Sequence, residues 1–270
     1  MATRARQAGL VADEVTEVST EVSVPPGNGA MTWLIAKRAA IESLHDSMTL
    51  LANGVFALVI PILVVFGQVA PAAVHATTPA GRAVLGSMLA TYLLIVGLLP
   101  ASGSVGIAAG VFAGEKEHGN LTPLLASPAT NLSIFMGKAL GAVLPSLAYA
   151  VLAEAAYLIE VILVVGVGAL SQLPLALALV MLALVPCVAV FGAAVASVIS
   201  SRVRTYNMAS TYSSLALVPV SGVLLGLAFT MPAWAPWARW IAVLAMVALD
   251  VGIVLLGAAT WKREEVLASQ

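Results

Sequence analysis

The sequence predicts an all-α, polytopic membrane protein with six crossings, and three observations carry that prediction. Hydrophobic residues make up 61% of the 270 positions and charged residues only 9%, and the mean hydropathy of +1.03 lies far above that of a water-soluble domain. The apolar residues are gathered into six long segments, at 50–69, 84–112, 138–167, 175–199, 208–231 and 240–260, each of about the 20 residues or more that a crossing needs. Lys and Arg are distributed unequally among the connections. One set of connections and both ends hold Arg4, Arg6, Lys37, Arg38, Lys116, Lys138, Arg202, Arg204, Lys262 and Arg263, whereas the other set holds only Arg82 and Arg239. The basic excess predicts that both termini are cytoplasmic, and a plasma membrane of bacterial type is the expected setting.

Residues 1–30 differ from the remainder. Arg4, Arg6, Asp13, Glu14, Glu17 and Glu21 are scattered among small polar residues, and the stretch ends in Pro25-Pro26-Gly27-Asn28-Gly29. This composition predicts a solvated, disordered cytoplasmic tail, and its apolar stretch is too short for a secretory signal. Residues 31–270 then form the membrane domain. Over 31–51, Trp33, Leu34, Ile41, Leu44, Met48 and Leu51 share one arc of a helical wheel, with Lys37 snorkelling from it. Arg38, Glu42, His45, Asp46 and Thr49 occupy the other side, so the segment is expected to lie in the membrane interface, either as a plain anchor or as a docking element.

Five segments carry an internal proline, at Pro61, Pro100, Pro145, Pro186 and Pro219, and kinks or local breaks are expected there. The second and third segments exceed the span length, which predicts tilt, an interfacial extension or a break. Gly106 with Gly110 and Gly222 with Gly226 are small-xxx-small pairs that permit close helix contact within one subunit or between two. Trp234, Trp237 and Trp240 mark the interface opposite the basic connections.

Several chemistries are excluded or disfavoured. A single cysteine, Cys187, permits neither an internal disulfide nor a Cys-based zinc site. With 12 Lys and Arg against 13 Asp and Glu, no basic excess exists for nucleic acid. His45, His75 and His118 fall outside the segments, so an intramembrane nucleophile has no histidine base at depth. A phosphate loop ending in Gly-Lys-Ser/Thr is missing, and the chain is expected to be no enzyme and to carry no ATPase site of its own. Only Glu154, Glu160 and Asp250 place charge well inside the segments, without a Lys or Arg at similar depth. A carboxylate there costs several kcal/mol unless it is protonated, hydrated or paired, which nominates all three for a translocation path. For Glu160, nearer the end of its segment, simple contact with interfacial water is the competing reading.

The longest basic-side connection is the most specific feature. It reads Phe112-Ala-Gly-Glu115-Lys-Glu117-His118-Gly119-Asn120-Leu121-Thr-Pro123-Leu124-Leu125-Ala-Ser-Pro128 and is followed by Gly137-Lys138 as the third segment begins. Charge, glycine, a Leu pair and a proline stop predict a short interfacial helix.

This connection resembles the signature of permease subunits of the ABC transporter type-2 exporter family: an acidic pair, a glycine, a Leu-Leu-x-x-Pro run and a Gly-Lys between the second and third spans. Asn120 stands where a threonine is usual and Pro123 where a glutamate is usual. The resemblance extends from Met31 through the Ser200-Ser-Arg-Val-Arg204 connection to Trp261-Lys-Arg-Glu-Glu265, and sodium and multidrug exporter subunits look most similar. It implies a permease that pairs with a second permease subunit, as homo- or heterodimer, and docks on a separate ATP-binding subunit. ATP and Mg would reside on that partner, this chain binding no cofactor. Lys37, Arg38, Glu42, Glu115, Glu117, His118, Gly119 and Leu124 are the residues implied to couple the two, and the cargo implied is a small drug-like solute or an ion. A proton-coupled carrier or channel relaying through Glu154 and Asp250, or a membrane assembly component that moves nothing, are the rival readings.

Overall fold

The computed structural model of the chain describes residues 27–117 and 129–260. The described residues contain no strand, and six helices are long and apolar enough to cross a membrane: Thr49–His75, Pro79–Ala109, Asn131–Val164, Leu175–Arg202, Tyr206–Ala233 and Pro236–Thr260. The protein is an all-α, multi-pass membrane protein. Each span matches one predicted segment, because a long apolar run in hydrocarbon satisfies its backbone only as helix.

The second and fourth spans are the most buried and form the centre of the bundle. Leu89, Leu93 and Leu94 of the second pack with Leu177, Met181 and Leu184 of the fourth in one core, which Tyr157 of the third span joins. The Tyr157 hydroxyl donates to the Leu89 carbonyl at 3.3 Å, and Thr91 reaches the Ala228 carbonyl of the fifth span at 3.3 Å. The other spans turn residues such as Leu63, Leu163, Leu215 and Leu244 outward. Such exposure would be a liability in water, whereas hydrocarbon is their natural solvent.

An N-terminal helix, Asn28–His45, precedes the spans. It ends earlier than the wheel pattern predicts, and it begins at Asn28, inside the predicted tail. The cause of the early end is Asp46, whose carboxylate accepts from the Thr49 backbone N–H at 3.0 Å and caps a new helix, Ser47–Val64. Leu51 therefore belongs to the first span. Residues 1–26 lie outside the described residues, and so do 118–128 with most of the loop helix expected over 115–125, of which 115–117 is described and helical.

The prolines act unequally. A π-helical turn, Val65–Val69, follows Pro61, and the second span is interrupted at Gly103 just after Pro100. Pro145, Pro186 and Pro219 are accommodated inside continuous helices.

Close backbone approach fixes the far end of the bundle. A Cβ placed on Gly86 would overlap the backbone carbonyl of Gln172, in the turn between the third and fourth spans. Backbone cannot swing aside as a side chain can, so Gly86→Ala is expected to cost about 3 kcal/mol, the upper range for overpacking. Gly54 meets nothing within 4 Å, and Gly54→Ala should be neutral or stabilising by up to about 1 kcal/mol. Thermal unfolding of both variants in one detergent checks the contrast; equal midpoints would refute it.

Candidate functional site

At the end of the bundle where the connection of residues 110–130 leaves the membrane, charged groups from two elements converge on a lysine of a third. Lys138 lies two turns into the helix of the third span and is only 3% exposed. Its ammonium donates to the Val111 carbonyl at 2.7 Å and is ion-paired with Glu115. Glu115 begins a short helix, Glu115–Glu117, that follows a π-helical turn, Gly110–Gly114, at the end of the second span. One turn of π-helix widens the backbone and swings the carboxylate back toward the bundle. Glu117 accepts from the Tyr206 backbone N–H at 3.0 Å, at the first residue of the fifth-span helix. An acid suits that place, since the first N–H groups of a helix have no partner within it and carry the positive end of its dipole.

The N-terminal helix supplies the rest. It lies against the start of the third span through a face of Thr32, Ile35, Ala36 and Ala39, made possible by Gly137 and Gly141. A Cβ on Gly137 would stand 2.8 Å from the Ile35 Cβ, and one on Gly141 would stand 2.5 Å from the Ala39 Cβ. Ser133 fastens the start of this helix by donating to the Asn28 carbonyl at 3.3 Å. The predicted apolar arc of Trp33, Leu34, Ile41 and Leu44 points away from the bundle, where it can enter lipid. On the remaining face Arg38 and Glu42 form an exposed ion pair at 2.8 Å. The hydrogen bond that Arg38 donates to Glu42, and then the Glu42 charge, raise the Arg38 pKa above its ordinary value. Such a solvated i,i+4 pair is worth only about 0.3–0.5 kcal/mol, so it is no pillar of the fold. Arg38 lies close enough to Glu115 for their charges to interact, and Arg38 and Glu42 both act on Lys138 through space.

Of the residues implied for coupling, the structure thus brings together Arg38, Glu42 and Glu115 around Lys138, and it sets Glu117 against the fifth span. Lys37 is exposed on the N-terminal helix. His118, Gly119 and Leu124 lie outside the described residues. In the sequence Lys138 is visible only as half of a Gly-Lys pair. Its burial and its partner come from elements 23 or more positions away.

The intramembrane acids do not form one site. Glu154 aims a buried, unpartnered Oε1 at Gly97 of the second span, and a Cβ on Gly97 would stand 2.6 Å from that oxygen and 2.9 Å from Val185 of the fourth span. Asp250, 6% exposed, lies near the Cys187 thiol, also on the fourth span, which itself donates to the Ala183 carbonyl, and the Asp250 Oδ1 has no partner. Val185 and Cys187 are two residues apart, which is about 200° around a helix. The fourth span therefore stands between the two acids, and no carboxyl pair is formed. Glu160 is half-buried one turn from the end of its helix, with one buried oxygen unpartnered. That position supports contact with interfacial water rather than a deep path. Among the described residues no group of three or more His, Cys, Asp and Glu converges as metal ligands would.

The two glycine pairs also differ. A Cβ on Gly106 would stand 3.8 Å from the Tyr206 hydroxyl and one on Gly110 3.7 Å from the Tyr206 ring, whereas Gly222 and Gly226 meet nothing within 4 Å among the described residues. Compared with known proteins, the chain matches no family model and no curated sequence.

Proposed function

We propose that this chain is the permease subunit of an ATP-driven exporter, a membrane half whose energy source is a separate ATP-binding subunit. The observation that carries the reading is the convergence of the N-terminal helix and the start of the 110–130 connection on Lys138. A subunit pressing on that surface from the cytoplasm would move the third span through Glu115 and Lys138 and the fifth through Glu117 and Tyr206. Differential binding of two bundle states to the nucleotide subunit would supply the work. Gly222 and Gly226, unfilled by any of the described residues, support pairing with a second permease subunit. The cargo is a small drug-like solute or an ion.

Inside-out vesicles carrying the complex are expected to accumulate a lipophilic cation or sodium only with ATP, and the chain alone to hydrolyse none. Glu115→Ala combined with Glu117→Ala is expected to cut transport by about tenfold or more, the scale of a coupling of 1–3 kcal/mol, with membrane insertion intact. Full export by that variant would overturn the assignment, and so would transport by the chain with no ATPase present.

The unpartnered carboxyl oxygens of Glu154 and Asp250 favour a second reading, a proton-coupled carrier. Its two acids would have to work separately, one on each side of the fourth span. Uptake driven by a pH gradient without nucleotide decides for it, and an assembly component would give no uptake under either condition.

A further inference from the structure

Between the fifth and sixth spans runs a groove of about 340 Å³, lined by Pro219, Val223 and Leu227 on one side and Ala242, Ala245 and Leu249 on the other. The volume is that of a small-molecule site, yet every side chain along it is apolar. Along the sixth span its floor at Leu249 is ten residues from Arg239, or about 15 Å of helix. That is half of a hydrocarbon core about 30 Å thick, the depth of a single leaflet.

Arg239 lies three residues, about one helical turn, beyond the lining residue Ala242 and is half-buried. Its guanidinium donates to the Met231 and Pro232 carbonyls, both at 3.0 Å, and so closes the link between the two spans above the groove. Those bonds use two of five N–H donors and leave the positive charge uncompensated. No carboxylate pairs with it among the described residues, and the sequence holds no Asp or Glu between Arg204 and Asp250. Trp237 and Trp240 are exposed beside it, which places the mouth at headgroup level. An apolar slot one leaflet deep, topped by an unpaired cation at the interface, fits an acyl chain with an anionic phosphate.

From this geometry we infer that the groove between the fifth and sixth spans holds a phospholipid, one acyl chain reaching down to Pro219 and Leu249 and the phosphate resting on Arg239. A second copy of the chain is the rival occupant. The open glycines Gly222 and Gly226 lie about 110° around the fifth span from the middle of the groove, so close helix contact has a separate face. The inference is independent of the exporter reading.

The test uses the full chain purified in detergent with dioleoyl-phosphatidylglycerol added, followed by native mass spectrometry. One such lipid per chain is expected to survive conditions that strip dioleoyl-phosphatidylcholine. Ala245→Trp, which fills the slot, and Arg239→Gln, which removes the charge, should each lower retention about tenfold or more, equivalent to 1.4 kcal/mol or above. Arg239→Lys should keep most of it. Unchanged elution and unfolding midpoints exclude misfolding as the cause. Wild-type retention by either Ala245→Trp or Arg239→Gln overturns the site, as does loss in Arg239→Lys equal to that in Arg239→Gln. A disulfide-linked dimer formed in membranes by Ala245→Cys, in a Cys187→Ser background, assigns the groove to a second copy and also overturns it.

Discussion

Glu115→Gln is expected to destabilise the protein by about 3 kcal/mol, and addition of Lys138→Met to recover most of the loss. The Lys138 ammonium is almost wholly removed from solvent, and Glu115 is its carboxylate partner. Removing one member of a buried pair leaves the other charged and poorly solvated, at a cost of about 3–5 kcal/mol, whereas replacing both with neutral groups of similar size is often close to neutral. The low end applies because Glu115 remains one-third exposed and the Val111 carbonyl still accepts from the lysine. In the double variant that carbonyl loses a donor, so a deficit of about 1 kcal/mol should persist. Unfolding in detergent, followed by tryptophan fluorescence, provides the comparison. A single variant as stable as wild type, or a double variant no better than the single, would sink this account of Lys138. The pair of measurements also separates roles at the proposed coupling surface: a stable double variant that still fails to export would show that the ion pair transmits motion as well as holding structure.

The second large effect concerns the N-terminal helix. Gly141→Leu is expected to lift residues 28–45 from the third span while the six crossings stay assembled. Where a leucine would begin, the Ala39 Cβ and the Ala36 carbonyl already stand 2.5 and 3.1 Å away. An overpacking cost of about 3 kcal/mol at this contact corresponds to roughly a hundredfold rise in the open population. Hydrogen exchange of the helix amides should accelerate by that factor, with amides of the second and fourth spans unchanged. Equal protection of the helix in variant and wild type would mean that the glycine contact does not hold it. Because Arg38 and Glu42 ride on this helix, export should fall with it under the proposed function.

Gly137 and Gly141 also show where reading the sequence falls short. They form a small-xxx-small pair as regular as Gly106 with Gly110, yet nothing local announces that their partner is a helix about a hundred positions earlier. Likewise the wheel pattern of the N-terminal helix marks Trp33, Leu34, Ile41 and Leu44 as apolar, and they are apolar toward the outside. The docking face is instead built from Thr32, Ile35, Ala36 and Ala39, of which only Ile35 is a large apolar side chain, so it does not stand out as a stripe on the wheel. Asp46 is a third case, since the same carboxylate reads as a polar-face residue of one long helix or as the cap of the next.

The all-helical fold, the number of crossings and the segments that make them can all be read from amino-acid order. Hydrocarbon leaves a backbone almost no choice, and a run of about 20 apolar residues forms a spanning helix whatever its neighbours in the chain. Folding in three dimensions was needed to settle which crossings are central, which glycines are filled, that Lys138 is buried against Glu115, and that Glu154 and Asp250 are kept apart by the fourth span. Those outcomes depend on the rotation of each helix about its own axis and on neighbours far away in the chain. When both faces of a span are apolar, its pattern of residues does not encode that rotation.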